Sequence, residues 1–238
     1  MTARIVPMGE AALLVQWSVD EAPTGAPLAL MTALEHHPPV GLVDLVPAID
    51  TLLVCFDPLA TDYTEVTDHV QRLIAHSRSH APPDGREVTI PVHYGGDAGP
   101  DLNNVAEQVG LSPAEVIAIH TATEQRVLMI GFAPGYPYLG WLPPVLYLPR
   151  RATPRVAVPA GSVAIAAGMT GIYPAVLPGG WHLIGRTDVR LFDPTADPPC
   201  LLRPGDRVRF VNVEAQRRQR RRGWSTQRRD GRRGRKEV

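Results

Sequence analysis

Lysine is almost absent from this chain. Of its 24 basic residues, all are arginine except Lys236, close to the end of the sequence. A phosphate-binding GxxxxGK[ST] loop, a kinase-type lysine, a Schiff base and a biotin attachment site each require a lysine. The folded part of the chain can build none of these sites, so any nucleotide chemistry depends on arginine and backbone N–H groups.

Cysteines and long apolar runs are also scarce. Cys55 and Cys200 stand alone and form no CxxC pair, which indicates a reducing cytoplasm and no structural zinc. No stretch approaches the ~18 uncharged apolar residues of a membrane-spanning helix, and residues 1–10 lack the apolar centre of a signal peptide. We therefore expect a cytoplasmic protein without a membrane segment.

The composition is that of a folded protein with many turns. The 238 residues are 44% hydrophobic and 20% charged, which allows one large domain or two small ones. Glycine (21) and proline (25) are frequent, so strands should be short and long helices few.

The net charge of zero conceals an asymmetry. Residues 1–215 carry 13 arginines and 22 acidic residues, whereas the segment from Gln216 onward carries 11 basic residues and two acidic ones. Such dense like charge repels itself and stays solvated. We predict a basic disordered tail over 215–238; the alternative, an arm for nucleic acid or an acidic partner, is disfavoured.

Hydrophobic periodicity divides the rest into two domains. Residues 1–81 are predicted to form a small α/β domain, with the order strand, strand, helix, strand, strand, helix. Its predicted elements are ARIVPMG, ALLVQW, a helix over Pro27–His37, LVDLVP, TLLVCF and a helix over Asp62–His80. The segment 81–85, APPDG, has the turn residues of a linker.

Residues 82–214 are predicted to form a β-barrel. After a strand over 86–94, Asp101 is expected to cap a short helix, and Ser112-Pro113 is expected to open a second one. Beyond Arg126 the chain consists of short apolar runs interrupted by glycine and proline, which is typical of a closed barrel of irregular strands. These runs are RVLMIGF, VAIAAG, WHLIG, VRLFD and DRVRFV.

Three segments combine glycine, proline, aromatic residues and arginine, as an anion or phosphate site would. They are GFAPGYPYLGWLP (131–143), PRRATPRVAVPAGSVAIAAGMTGIYP (149–174) and PGGWHLIGRTDVRLFDP (178–194). By composition alone they also fit tight barrel corners with packed aromatic rings. Together with LLRPGDRVRF they resemble the KipI-like family, often labelled allophanate hydrolase subunit 1, which includes the B subunit of bacterial 5-oxoprolinase. They are also similar to part of the carboxyltransferase domain of urea carboxylase.

The resemblance covers about residues 3–213 and leaves out the basic tail. It implies an N-terminal α+β domain followed by a cyclophilin-like β-barrel. It also implies a hetero-oligomer with the C subunit of the same enzyme and a ring-opening lactam hydrolase subunit, which together convert 5-oxo-L-proline to L-glutamate with ATP and the Mg²⁺ that accompanies it. The alternatives are a binding protein that inhibits a histidine kinase, and a carboxyltransferase- or allophanate hydrolase-like subunit acting on urea-type amides.

The site residues are inferred from residue type within the resembling motifs. Because lysine is absent there, we expect arginines to neutralise the transferred phosphoryl group. The predicted catalytic residues are Arg186, Arg155 and His182. The predicted substrate- or nucleotide-binding residues are Gly131, Phe132, Gly135, Tyr138, Arg150, Ser162, Tyr173, Gly179, Gly180 and Trp181.

No metal site is expected. His76 and His80 are spaced to share one helical face, but no third ligand lies nearby in the sequence.

Overall fold

The computed structural model describes residues 3–18, 25–76 and 85–217. Packing divides the chain into two compact units. The first comprises Met1–Val88, Arg126–Gly140 and Leu191–Arg207, and the second comprises Thr89–Gln125, Trp141–Arg190 and Val208–Val238. Most of the linker predicted at 81–85, and the predicted tail from residue 218 onward, lie outside the described residues.

The first unit contains a four-stranded antiparallel sheet with two helices. Its strand order is β1-β2-β4-β3. The elements are β1 (Ala3–Pro7), β2 (Ala12–Trp17), α1 (Ala26–His36), β3 (Leu42–Pro47), β4 (Thr51–Phe56) and α2 (Tyr63–His76). This is the predicted order of strands and helices, so the α+β prediction for the N-terminal region is confirmed. The predicted end of α2, residues 77–80, lies outside the described residues.

Strict alternation in the two central strands creates the core of this sheet. In β2, Leu13, Val15 and Trp17 are buried while the residues between them are half-buried, and β4 repeats the pattern. Side chains that alternate in this way point to one face, where they pack with α1 and α2. Each fully buried aliphatic side chain contributes about 1.5–3 kcal/mol relative to an exposed one, so this face holds the helices.

The first unit also contains an ion pair built on a buried carboxylate. Arg86 binds the carboxylate of Asp206 through two nitrogens, at 2.6 and 3.1 Å. Asp206 also accepts a hydrogen bond from the backbone N–H of Arg203 at 2.9 Å. This two-pronged geometry holds Asp206, which directly precedes the last strand, against Arg86, which lies shortly after residues 77–84 that the structure does not describe.

Seven strands form a closed, mixed barrel in the order β10-β7-β6-β13-β5-β12-β9. A separate two-stranded ribbon pairs β11 with β8. The strands are β5 (Glu87–Tyr94), β6 (Gln125–Ile130), β7 (Pro137–Gly140), β8 (Arg155–Val158), β9 (Ser162–Ala166), β10 (Met169–Ile172), β11 (Leu177–Gly179), β12 (His182–Arg186) and β13 (Arg207–Asn212). The predicted β-barrel is therefore confirmed.

Two short helices lie between β5 and β6: α3 (Leu102–Val109) and α4 (Pro113–Ala122). Ser112 caps α4 as predicted: its side chain accepts from the N–H of Glu115, whose carboxylate accepts from the N–H of Ser112. Such a reciprocal capping box satisfies two N–H groups that the helix leaves free.

The predicted strand over VRLFD (189–193) is wrong. Only Phe192 forms a bridge there, an isolated antiparallel one with Cys200. Pro194, Pro198 and Pro199 follow within a few residues. Proline has no N–H to donate to a ladder, so the run does not extend into a sheet.

The turn between β8 and β9 requires glycine. Gly161 has φ of +79°, and a Cβ added there would overlap the carbonyl oxygen of Thr187. The same turn is held by hydrogen bonds from the N–H of Gly161 to the Tyr173 carbonyl (2.7 Å) and from the N–H of Thr187 to the Gly161 carbonyl (2.9 Å). Gly205 has a similar φ, +91°, with nothing within 4 Å of an added Cβ.

These two glycines make a matched pair for mutagenesis. Gly205→Ala should lower the free energy of unfolding by about 1–2 kcal/mol, the penalty for placing a residue with a Cβ in a left-handed conformation. Gly161→Ala should lower the free energy of unfolding by about 2 kcal/mol more than Gly205→Ala does, because the turn must also move away from Thr187. Urea unfolding of both variants measures the difference, and equal stabilities would contradict the close packing of this turn.

Candidate active site

A buried carboxylate in the second unit anchors an arginine-rich segment. Asp101, which is 5% exposed, accepts hydrogen bonds at Oδ1 from Arg151 Nη1 (2.9 Å) and Arg155 Nη2 (2.8 Å). Its other oxygen, Oδ2, accepts from the backbone N–H of Leu183 at 2.7 Å. One side chain therefore joins the start of α3, the segment before β8, the first residue of β8, and β12.

This arrangement corrects the predicted role of Asp101. The residue occupies the N-cap position of α3, but its side chain makes no capping hydrogen bond. Two guanidinium groups and a strand N–H offer the carboxylate stronger, charge-assisted hydrogen bonds than a helix terminus does. The carboxylate of Asp101 therefore accepts hydrogen bonds from arginines and does not cap α3.

The electrostatics of Asp101 follow from these partners. Burial by itself would raise the pKa of the carboxyl, but the hydrogen bonds from Arg155 and Leu183 and the two guanidinium charges hold that pKa below its usual range. Asp101 is therefore ionised at neutral pH. With both arginines charged, the cluster has a net formal charge of +1.

Two polar atoms of this cluster, and one on His182 next to Leu183 in β12, have no hydrogen-bond partner in the described residues. Within the described part of the chain, Arg151 Nε, Arg155 Nη1 and His182 Nδ1 are buried and have no hydrogen-bond partner. The other ring nitrogen of His182, Nε2, lies 3.0 Å from the carbonyl oxygen of Pro149. A carbonyl only accepts, so Nε2 carries the proton and Nδ1 of the neutral ring is an acceptor.

The three predicted catalytic residues occupy different environments. Arg155 belongs to the Asp101 cluster, and His182 lies at the start of β12, 5% exposed. Arg186, at the end of β12, is exposed, and its Nε donates to the carbonyl oxygen of Ala160 at 3.0 Å. Arg150 is exposed as well. Arg151, which the sequence reasoning did not select, takes the place next to Arg155 on Asp101.

Several predicted binding residues are buried parts of the same unit. Tyr173 (1% exposed), Ser162 (2%) and Trp181 (5%) lie inside. The hydroxyl of Tyr173 occupies the place that a Cβ on Gly179 would take, whereas Gly180 has space around it. The backbone carbonyl of Gly180 accepts from the N–H of Arg151 at 2.7 Å, which ties this glycine pair to the arginine segment.

The remaining predicted residues lie in the first unit, in the loop between β6 and β7 and, for Tyr138, in β7 itself. Phe132 is 60% exposed and has φ of +67°, in a tight turn closed by the N–H of Ala133 on the carbonyl of Gly131 (2.8 Å). Its ring packs edge-on against Tyr136, whose ring lies 5.0 Å from that of Tyr138. A non-glycine residue in this conformation is strained by about 1–3 kcal/mol. The backbone conformation that exposes the Phe132 ring therefore lowers the stability of the fold.

A buried histidine that the sequence did not single out lies in the second unit. His120 on α4 is 0% exposed. Its Nδ1 lies 2.8 Å from the Tyr94 hydroxyl and its Nε2 lies 3.1 Å from Thr170 Oγ1. Burial lowers the pKa of His120 to about 3, so the ring is neutral and joins α4 to β5 and β10. No sequence signal marked it, because a lone histidine in a helix has no motif.

No metal cluster is built by the described residues. Among them, no group of three His, Cys, Asp or Glu side chains is placed to hold an ion. His76 Nδ1 is engaged with the carbonyl of Arg72 at 2.6 Å, and His80 lies outside the described residues.

Comparison with known proteins places this architecture in a family. Residues 3–202 match the family model described as "Carboxyltransferase domain, subdomain C and D". The chain is 40% identical over 227 residues to the B subunit of 5-oxoprolinase from Bacillus subtilis (strain 168), a match that covers 90% of this chain and 95% of that protein. It is 46% identical over 171 residues to the B subunit of 5-oxoprolinase from Escherichia coli O157:H7, covering 72% of this chain and 78% of that protein.

A solved structure extends the comparison. The crystal structure of TTHA0988 superposes with a TM-score of 0.71 at 38% identity, over 86% of this chain and 40% of that chain. The present chain therefore spans about two-fifths of that longer protein. The chain belongs to the family of 5-oxoprolinase B subunits, within the carboxyltransferase subdomain C and D proteins.

Proposed function

We propose that this chain is the B subunit of an ATP-dependent 5-oxoprolinase, which opens 5-oxo-L-proline to L-glutamate. One observation carries the proposal: the 40% identity to the B subunit of a 5-oxoprolinase extends over 90% of this chain and 95% of that protein. A match of this length includes both the N-terminal sheet and the barrel, and all three motifs rich in glycine, proline and arginine.

The chemistry explains why such a subunit displays arginines. A lactam carbonyl is a poor electrophile, and ATP supplies the phosphoryl group that turns its oxygen into a leaving group. The protein must orient the lactam and neutralise the charge on the transferred group. In this proposal Arg186 performs the second task, because its guanidinium is exposed at a strand end while its Nε is fixed on Ala160.

The described residues offer a nucleotide cationic groups for its phosphates but no acidic cluster for its metal ion. Arg186 and Arg150 present exposed guanidinium groups that suit phosphate oxygens, whereas the described residues assemble no acidic cluster for a divalent ion. Mg²⁺ would therefore arrive with ATP, held by the phosphates. Tyr173, Trp181 and His182 remain candidates for shaping the site.

The proposal includes partners and location. The relatives are named as one lettered component of a larger enzyme, which favours a hetero-oligomer. We propose that this hetero-oligomer contains the C subunit of the same enzyme and a ring-opening lactam hydrolase subunit. We further propose that the barrel is cyclophilin-like and that the complex is cytoplasmic. None of the helices in the described ranges has the length and apolarity that crossing a bilayer demands.

A second candidate is a carboxyltransferase- or allophanate hydrolase-like subunit acting on a urea-type amide. The description of the matching family model as a carboxyltransferase domain favours it. As a carboxyltransferase it would need biotin from a separate carrier, because the only lysine of this chain is Lys236, outside the described residues.

Reconstitution tests the main proposal. We expect no glutamate formation by this chain alone, and ATP-dependent glutamate formation from 5-oxoproline when the C subunit and the ring-opening subunit are added. The assay measures glutamate and ADP together, with each protein omitted in turn. Full turnover by the chain alone would contradict the proposal that the partner subunits are required, and turnover of a urea-type amide in place of 5-oxoproline would favour the second candidate.

Arg186→Lys separates a phosphoryl clamp from a structural arginine. Lysine keeps the charge but loses the planar, two-pronged geometry, so we expect turnover to fall ~100-fold, roughly 3 kcal/mol of transition-state stabilisation. The melting temperature should stay unchanged. The control is Arg4→Lys, an exposed arginine on β1, which should match the wild type in both measurements. A variant of Arg186 that melts normally and turns over normally would remove this residue from the mechanism.

A further inference from the structure

The Asp101 cluster has the properties of a small-anion site, because two arginines on one buried carboxylate give it a net positive charge. We propose that Asp101, Arg151, Arg155 and His182 form the site that binds the carboxylate of the lactam substrate, a role separate from that of Arg186. The inference rests on the proposed function, because the ligand is taken to be the substrate of that reaction.

The two guanidinium groups are held in fixed orientations. Both donate to the same oxygen of Asp101, at 2.9 Å from Arg151 and 2.8 Å from Arg155, and the Asp101 side chain is itself fixed by the N–H of Leu183. A guanidinium has five N–H groups, so each arginine keeps donors that Asp101 does not use. Arginines positioned in advance by a carboxylate lose little freedom when a ligand binds.

Some of those remaining donors are buried and unused. In the described ranges, Arg151 Nε and Arg155 Nη1 are buried without an acceptor. A buried N–H without an acceptor is unfavourable, and the great majority in proteins are satisfied. The two side chains are nevertheless 30% and 26% exposed, so an anion from solvent can approach their cationic groups.

The charge balance favours a monoanion. The cluster has a net formal charge of +1, which a single carboxylate neutralises. A triphosphate carries several negative charges, most of which a net charge of +1 would leave uncompensated. The planar carboxylate also matches the fork of a guanidinium. The substrate 5-oxo-L-proline has one such group.

His182 adds a group of the complementary kind. Its Nε2 bonds to the carbonyl of Pro149, so in the tautomer that carries its proton on Nε2 the buried Nδ1 can accept a hydrogen bond; Nδ1 has no partner in the part of the chain that is described. In a 5-oxoproline molecule the lactam N–H is bonded to the carbon that bears the carboxylate. Cationic donors and a ring-nitrogen acceptor are therefore the set of groups that this end of the substrate requires.

The test uses the reconstituted three-subunit enzyme and the variant Arg155→Gln. We expect the KM for 5-oxoproline to rise at least tenfold, while the KM for ATP stays within twofold of the wild type. Arg4→Gln, the same change at an exposed arginine of β1, should alter neither constant. An increase confined to the KM for ATP would show that the cluster binds phosphate, and unchanged constants would show that it binds neither; either result overturns the proposal.

A ligand without the carboxylate gives an independent measurement. The neutral analogue 5-oxo-L-prolinamide should bind the wild-type complex at least tenfold more weakly than 5-oxoproline, by calorimetry or competitive inhibition. In Arg155→Gln this difference should shrink to about twofold. A purely structural role for Arg155 would weaken both ligands equally, and that result would contradict the assignment.

A variant that keeps the charge covers the case in which Arg155→Gln does not fold. Arg155→Lys should retain an ion pair with Asp101 while losing the two-pronged geometry, and it should show the same selective loss to a smaller extent. If the wild-type complex does not act on 5-oxoproline at all, the proposed function fails. If it does act and the carboxylate preference persists in both variants, only the present inference fails.

Discussion

The carboxylate of Asp101 is the point on which the second unit's arginine segment depends. The segment from Pro149 to Pro154 has no regular secondary structure of its own, and Arg155 begins a strand of only four residues. Its position is set by two ion pairs to Asp101 and by the hydrogen bond from the N–H of Arg151 to Gly180. Without Asp101, two guanidinium groups would lose their counter-charge in a largely desolvated place, which is strongly unfavourable.

The same interaction links distant parts of the sequence. Asp101 lies 50 residues from Arg151, 54 from Arg155 and 82 from Leu183. Each of these bonds closes a long loop, and the entropy of closure must be offset by the bonds formed. No local sequence pattern therefore predicts the cluster. Asp101 directly precedes a helical run of apolar residues, and in the sequence this is the pattern of an N-cap.

How much of the fold could be predicted depended on periodicity. The N-terminal sheet and its helices follow from clear alternation in β2 and β4, and from Pro27 near the start of α1. The barrel was predictable as a class, but its short strands within the motifs were not. β7, β8, β10 and β11 span three or four residues each, too few to show a period of two. All of them except β8 also contain the glycines or prolines that otherwise mark turns.

The candidate site was likewise predictable only in part. Motif composition selected Arg155, Arg186 and His182 by type, and the structure gives each a distinct setting: on a buried carboxylate, at an exposed strand end, and on a backbone carbonyl. Composition could not select Arg151 over Arg150, although the two are adjacent, because only tertiary contact decides which of them faces Asp101. Residue type thus predicts the chemistry of a site, and packing decides which residues perform it.

The most direct test of this account is the stability difference between the wild type and Asp101→Asn, measured by urea unfolding across a range of acidic to neutral pH. Because folding lowers the pKa of Asp101, its ionised form stabilises the fold at pH values above the carboxyl's ordinary pKa of about 4. That contribution is lost as the pH falls through the lowered pKa. The account predicts a wild-type advantage of about 3 kcal/mol at neutral pH that declines toward zero in acid. A small or pH-independent difference would contradict it.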